Sequence, residues 1–135
     1  MPFIDITIVP VRNEQKAAYL DFSRRMIEVY LDHGAVRVTD CWQAAGASAG
    51  EDFHAADAMA SYSAGALPDM RSFARAGEGE TVVVSITEWE SREARDRGVK
   101  AVTADPRVQA TVTEEPVFDG GRVIAAGFDV ELTRP

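Results

Sequence analysis

The most regular alternation of hydrophobic and polar positions lies in residues 80–89, the run ETVVVSITEW. Beta-branched and aromatic side chains dominate this run, and they suit a pleated strand. With a period of two residues, the valines and the isoleucine at even positions point to one side, whereas Val83 and Trp89 point to the other. Because both sides carry apolar side chains, the pattern predicts a central strand that is covered on both faces.

Three further stretches carry the same kind of alternation. An isoleucine-rich run predicts a first strand over 3–9, which we expect Pro10 to end because proline cannot donate to a strand ladder. A second strand is predicted over 35–42 and a last strand over 122–130.

Two stretches show apolar side chains spaced three and four residues apart, which is typical of an amphipathic helix. The first covers 13–32, with Asn13 as the predicted N-cap. The second covers 91–104, with Ser91 as the N-cap, and a short helical piece over 105–113 follows it. The buried stripe of the first helix is predicted to contain Tyr19, Phe22, Met26 and Tyr30.

The chain between the second strand and the central strand has no clear periodicity. Residues 43–69 are rich in Ala, Gly and Ser, with a short helix predicted over 53–59. Long segments of this kind inside a compact domain are often functional. We expect a short strand over 70–76, which the turn at 77–79 would join to the central strand as a hairpin.

The order of these elements predicts one domain over residues 1–135, a ferredoxin-like α+β sandwich with both main helices on one face of an antiparallel sheet. The other face of the sheet then lacks a cover. We expect it to carry Phe3, Val83 and Trp89 and part of the last strand. An apolar face of that size favours association, and a twofold homodimer would bury it.

Composition narrows the range of partners. The net charge of −8 opposes binding to phosphate backbones, so we expect no nucleic-acid partner. Cys41 is the one cysteine, which excludes an internal disulfide and a cysteine-built zinc site and fits a reducing compartment. No apolar run has the length of a membrane span or the form of a signal peptide. We therefore expect a cytoplasmic protein that has neither a metal nor a cofactor.

Several short motifs, taken in order, resemble the YbaA-like bacterial family, a domain of unknown function numbered 1428. This resemblance implies a ferredoxin-like fold of the dimeric α/β-barrel type, and it implies no established activity. The motifs are HGA at 33–35, DCW at 40–42, SFARA at 72–76, ETVVVS at 80–85, ADPR at 104–107 and PVFDGGRVI at 116–124.

Eight residues are candidates for binding a small organic ligand in a half-apolar cleft of such a fold. Each has a simpler interpretation. Asp5 could act as a base or be a satisfied strand residue, and Cys41 could be a reactive thiolate or a small buried apolar residue. The candidates are Asp5, His33, Cys41, Trp42, Phe73, Arg75, Ser85 and Phe118.

Two of the other candidates also have two interpretations each. His33 could anchor a ligand carboxylate or cap the first helix. Arg75 could bind an anionic group or pair with an acid such as Glu80.

Two functions of different classes fit these observations. The first is a homodimeric protein that binds a small organic molecule. Dimeric α/β-barrel proteins in the broad sense include small monooxygenases and isomerases, so cofactor-independent catalysis stays open by analogy of fold. The second is a non-catalytic dimer that binds another protein through residues 43–67.

Overall fold

The computed structural model describes residues 1–45 and 69–135. Four strands form one antiparallel sheet in the order β2-β3-β1-β4, and they are β1 (Phe3–Arg12), β2 (Arg37–Trp42), β3 (Glu80–Trp89) and β4 (Ile124–Asp129). The helices are α1 (Lys16–Asp32), α2 (Met70–Ala74), α3 (Arg92–Ala104) and α4 (Pro106–Gln109). This is the predicted ferredoxin-like arrangement. The predicted helix over 53–59 lies outside the described residues.

The first strand continues through Pro10, where we predicted that it ends. Pro10 pairs with Val82 of β3. The carbonyl of Val82 points to β2, because it accepts from the amide of Gln43 at 2.9 Å. Pro10 and Val82 therefore form a pair with no hydrogen bond between them, and the missing N–H of Pro10 lies on the β4 side. The ladder to β4 already ends at Ile8 and Ile124, so proline costs the sheet no hydrogen bond there.

The start of α1 also differs from the prediction. A single 3₁₀ turn occupies Asn13–Gln15, and the α-helix begins at Lys16. The side chain of Asn13 accepts from the Thr81 hydroxyl at 2.6 Å, so it bridges to β3 instead of capping α1. The predicted cap of α3 is confirmed, since the side chain of Ser91 accepts from the backbone of Ala94.

The segment that follows residue 69 is helical, so the strand predicted over 70–76 and its hairpin are wrong. The side chain of Asp69 caps α2 by accepting from the amide of Ser72 at 2.7 Å. The guanidinium of Arg71 donates to the carbonyl of Glu80 at 2.7 Å and so holds α2 against the start of β3. These contacts, which join residues three and nine positions apart, decide the structure of a segment too short to show a period of its own.

The helices cover the sheet face that we predicted to be open. Phe3, Val83 and Trp89 are at most 5% exposed, and they pack beneath side chains of α1 and α3. The prediction was wrong because both faces of β3 are apolar, and alternation alone does not show which face the helices cover. We call this helix-covered face the inner face.

The outer face of the sheet is apolar and partly exposed. Its centre carries isoleucines at positions 4, 6, 8 and 86 together with Val84, and Phe128 at its edge is 47% exposed. Helix α2 contacts β1 and β3 and buries Ala74 near one end of this face. Most of the outer face therefore has no cover among the described residues.

None of the helices in residues 1–45 and 69–135 combines the length and the apolarity that crossing a membrane requires.

Candidate ligand-binding site

The inner face contains a polar strip between two apolar clusters. One cluster is built around Tyr19 and Val83, and the other is built around Phe3 and Trp89. Between them the strand registers align polar residues across the sheet, because Ser85 pairs with Asp40 on one side and with Thr7 on the other. Polar groups in such a position need partners, and the hydrogen bonds of the strip show where those partners are.

Asp40 is the centre of this strip. Its carboxylate accepts a hydrogen bond from the hydroxyl of Ser85 at 2.5 Å and a second one from the hydroxyl of Ser23 on α1. The ion pairs formed by residues 1–45 and 69–135 do not include Asp40. The half-buried carboxylate is therefore held by two neutral donors and has no cationic partner among these residues.

Tyr19 of α1, which lies near Asp40, belongs to a cluster of aromatic rings. Tyr19 packs edge-on against Trp42, with 5.5 Å between ring centroids, and against Phe118, with 6.0 Å between ring centroids. Phe22 packs against Phe118 at 6.3 Å. Burial raises the pKa of the Tyr19 phenol; the Ser85 hydroxyl acts against this shift, and the Asp40 carboxylate adds to it. Tyr19 therefore stays a neutral phenol at physiological pH.

Trp42, two residues after Asp40 on β2, carries a donor that has no partner among the described residues. Its indole nitrogen is buried, and no hydrogen-bond partner for it lies in the part of the chain that the structure describes. A buried donor without a partner costs about 1–3 kcal/mol. The ammonium group of Lys16 lies over the indole ring, 5.1 Å from its centroid. The ring thus already contacts one cation, while its buried N–H has no acceptor among the described residues.

A sheet edge and a cavity border this region, and the lining of the cavity does not include Asp40 or Trp42. Strand β2 lies at the edge of the sheet, so the strip ends at an edge near Asp40. A cavity of about 490 Å³ opens between the end of β1 and the loop that follows the 3₁₀ turn after α4, and Phe118 belongs both to its lining and to the aromatic cluster. The cavity is lined by Pro10, Arg12, Gln15, Glu115, Pro116, Phe118, Asp119 and Gly120.

Three of the eight candidates, Trp42, Ser85 and Phe118, lie together in this site. Asp5 lies further along the inner face, where it accepts from the indole of Trp89 at 3.1 Å and from the guanidinium of Arg95 at 2.9 Å. That ion pair occupies the carboxylate of Asp5.

His33 lies at the C-terminal end of α1, where its ring nitrogen is 2.9 Å from a carboxylate oxygen of Asp105. Asp105 also binds Arg107, and this hydrogen bond is the main reason that the pKa of Asp105 is well below its ordinary value. His33 therefore joins the end of α1 to the start of α4 in this structure.

The three remaining candidates lie away from the inner face. Cys41 is exposed and points to the outer side of β2. Phe73 on α2 is 56% exposed, and Arg75 ends α2 in a left-handed conformation with φ of 58°. The expected partner of Arg75 is taken, since Glu80 binds Arg122 at 2.8 Å.

Sequence reasoning missed Asp40, Ser23 and Tyr19 as members of the site. The alternation of β2 contains a signal for Asp40, because a carboxylate between Val38 and Trp42 lies on a face that is otherwise apolar. No group of three or more metal-ligating side chains occurs among the residues whose positions are described.

The model of a family described as a protein of unknown function, DUF1428, matches residues 2–120. The chain belongs to the DUF1428 family. The uncharacterized protein YbaA of Escherichia coli K12 is 31% identical to it over 129 residues, which are 96% of each chain. YbaA of Shigella flexneri matches with the same identity and coverage.

Two solved structures resemble this DUF1428 chain in fold. Rv0793 from Mycobacterium tuberculosis aligns over the whole of both chains with a TM-score of 0.51 and 13% identity. SnoaB, a cofactor-independent oxygenase from Streptomyces nogalater, aligns over 99% of this chain and 97% of its own, with a TM-score of 0.53 and 14% identity. At these identities the likeness supports the ferredoxin-like α+β fold and nothing beyond the fold.

Proposed function

We propose that this DUF1428 protein is a cytoplasmic homodimer that binds a small organic molecule beside Asp40 and Trp42. The observation that carries the proposal is that, among the described residues, the half-buried carboxylate of Asp40 has no cationic partner and the indole N–H of Trp42, two residues along the same strand, has no acceptor. Both groups lie among aromatic rings, and pockets for small molecules typically combine an apolar lining with a few polar groups that fix orientation.

The two polar groups bind different parts of the ligand. Asp40 can accept a hydrogen bond or a charge from the ligand, because Ser23 and Ser85 use only part of the acceptor capacity of its two oxygens. The indole of Trp42 donates to an oxygen or nitrogen of the same ligand. Satisfying both groups at once removes the cost of leaving them buried and unpaired.

The proposed site also has the elements of acid–base chemistry. Asp40 is the group that can accept a proton from a bound ligand, and Tyr19 and the two serines are neutral hydroxyl donors around it. That SnoaB is a cofactor-independent oxygenase supports catalysis here by analogy of fold only. Any reaction would therefore begin at Asp40.

The outer face supports the proposed homodimer. Two copies that pack this apolar face against each other would bury the isoleucines at its centre and the exposed ring of Phe128. The proposed ligand site lies on the inner face, so dimer formation leaves it free.

Native mass spectrometry of freshly purified protein tests the ligand site. We expect the folded protein to carry an additional mass that is lost on denaturation, and we expect Asp40→Asn to carry much less of it. Asp21→Asn is the matched control, because Asp21 is exposed on the same helix that supplies Ser23. Wild-type protein without additional mass, or equal retention by Asp40→Asn, would contradict the proposed site.

A further inference from the structure

Asp40 differs from the other half-buried carboxylates in what balances its charge. Asp5, Glu80 and Glu88 each bind an arginine within 2.9 Å, and Asp105 binds Arg107 at 2.9 Å. Asp40 binds two hydroxyl groups. A carboxylate that is taken partly out of water favours a cation beside it, because hydroxyl donors do not cancel its charge.

The rings around Asp40 favour the same kind of partner. The face of an aromatic ring carries negative electrostatic potential, and tryptophan attracts cations more strongly than tyrosine or phenylalanine. One cation of the chain already uses such a ring, since the ammonium of Lys16 lies 5.1 Å from the centre of the Trp42 ring. Tyr19 and Trp42 meet at 85°, so their ring faces point in two different directions.

The charge of the whole chain acts in the same direction. With 22 acidic and 14 basic residues the net charge is −8 at pH 7, and such a protein attracts cations over distances beyond direct contact. An anionic ligand would meet this field and the charge of Asp40 together.

We propose that the ligand of the Asp40 site is an organic cation, either a protonated amine or a quaternary ammonium compound. This inference rests on the proposed function and names the ligand class for the same site. The cationic group lies against the ring faces near Asp40, and an acceptor atom of the ligand receives the Trp42 N–H. A neutral phenol or alcohol can satisfy the hydrogen bonds of the site, but it leaves the charge of Asp40 unbalanced.

Choline and 3,3-dimethyl-1-butanol test this choice, because the alcohol is the neutral carbon isostere of choline. The chain has two tryptophans, so a ¹H–¹⁵N NMR spectrum contains two indole signals. Trp89 is 1% exposed and bonded to Asp5, which makes its signal an internal control. We expect choline to shift the Trp42 signal in a saturable way and to bind at least about tenfold more tightly than the alcohol.

Two variants separate a cation site from a merely apolar one. Asp40→Asn is expected to weaken choline binding about tenfold, because the carboxylate is gone. Lys16→Gln is expected to strengthen it, because the ammonium of Lys16 competes for the Trp42 ring. Equal binding of choline and the alcohol, unchanged binding by Asp40→Asn, or weaker binding by Lys16→Gln would each overturn the inference.

The failure of this inference can be told from the failure of the proposed function. If native mass spectrometry detects a neutral or anionic molecule whose retention needs Asp40, the proposed ligand site is supported. The inference that the ligand is a cation is then wrong. If no molecule is retained and neither probe shifts the Trp42 signal, both proposals are wrong.

Discussion

Asp40 and Ser85 face each other across β2 and β3, and the Ser85 hydroxyl donates to the Asp40 carboxylate at 2.5 Å. This pair joins the edge strand to the centre of the sheet on the face that the helices cover. Ser23 adds a donor from α1, so one carboxylate connects three elements.

Replacing Ser85 by alanine tests the structural part of this role. Ser85→Ala removes one of two donors to a half-buried carboxylate, and hydrogen bonds to charged groups are worth about 1.5–3 kcal/mol. We expect the free energy of unfolding, measured in urea, to fall by about 2 kcal/mol. Ser72→Ala changes an exposed serine of α2, and it is expected to change stability by less than about 0.5 kcal/mol. Equal effects of the two substitutions would show that the bond to Asp40 is not important for stability.

Gly98 lies where α3 passes closest to the sheet. A Cβ atom at this position would lie 2.3 Å from the ring of Trp89 and 2.7 Å from the carbonyl oxygen of His33. Alanine usually stabilises a helix relative to glycine by about 1 kcal/mol. Here we expect Gly98→Ala to destabilise the protein by about 1–3 kcal/mol, because a fixed ring and a backbone oxygen must move.

The control for this substitution is Gly120→Ala, since nothing lies within 4 Å of a Cβ atom built there. Thermal unfolding followed by circular dichroism compares the two variants. A Gly98→Ala protein as stable as wild type would mean that α3 does not approach Trp89 this closely.

Glu80 makes the fold sensitive to acid. The hydrogen bond from Arg122 and then the backbone N–H of Gly77 lower the pKa of Glu80 from 4.5 to about 2. A carboxylate with a depressed pKa in the folded state contributes stability that is fully present above its unfolded pKa. This contribution is therefore lost as the pH falls from about 4.5 to 2.

Urea unfolding at a series of pH values measures this effect. We expect Glu80→Gln to be less stable than wild type at neutral pH, with a difference that shrinks as the pH falls through this window. Glu115→Gln is the control, because Glu115 is exposed and the described ion pairs do not include it. A difference that stays constant with pH would contradict the assignment.

The outer face is the proposed dimer interface, and Ile6 lies near its centre, paired with Ile86 on β3 and with Ala126 on β4. We expect Ile6→Asp to convert the dimer to a folded monomer, because a second copy would have to bury the new charge. Ala17→Asp places the same charge at an exposed position of α1 and should remain dimeric. Light scattering measures the molecular masses of wild type and of both variants. A monomeric wild type would contradict the proposed dimer interface.

The elements that the sequence predicted well are those with a long, regular pattern. β1, β3, α1 and α3 each span at least ten residues, and their periodicity is unambiguous. α2 was missed because its five residues carry too short a pattern, and the contacts of Asp69 and Arg71 decide its conformation. The two faces of the sheet were exchanged because Val82 and Val83 are equally apolar.

The site depends on relationships that spacing along the chain does not contain. Ser23, Asp40 and Ser85 come from three separate elements, and only the register of β2 against β3 brings the last two together. Asp5 and His33 have the residue types of a ligand site, but their partners Arg95 and Asp105 are 90 and 72 residues away in sequence. Local sequence could not show that these candidates were already paired.

The prediction that residues 43–67 bind another protein concerns a segment that lies mainly outside the described residues, so it stays a prediction. Deleting this segment and measuring ligand retention by native mass spectrometry separates the two functions. Under our proposal the shortened protein still retains the ligand, because Asp40 and Trp42, the two polar groups that bind it, both precede the deleted segment.

We propose that a small molecule binds at Asp40 and Trp42. A crystal structure of protein frozen directly after purification tests this proposal. We predict electron density for a molecule that contacts Asp40 and accepts from the indole nitrogen of Trp42 at about 3 Å. An indole N–H bonded to a residue of its own chain, with Asp40 closed off from solvent, would contradict the account.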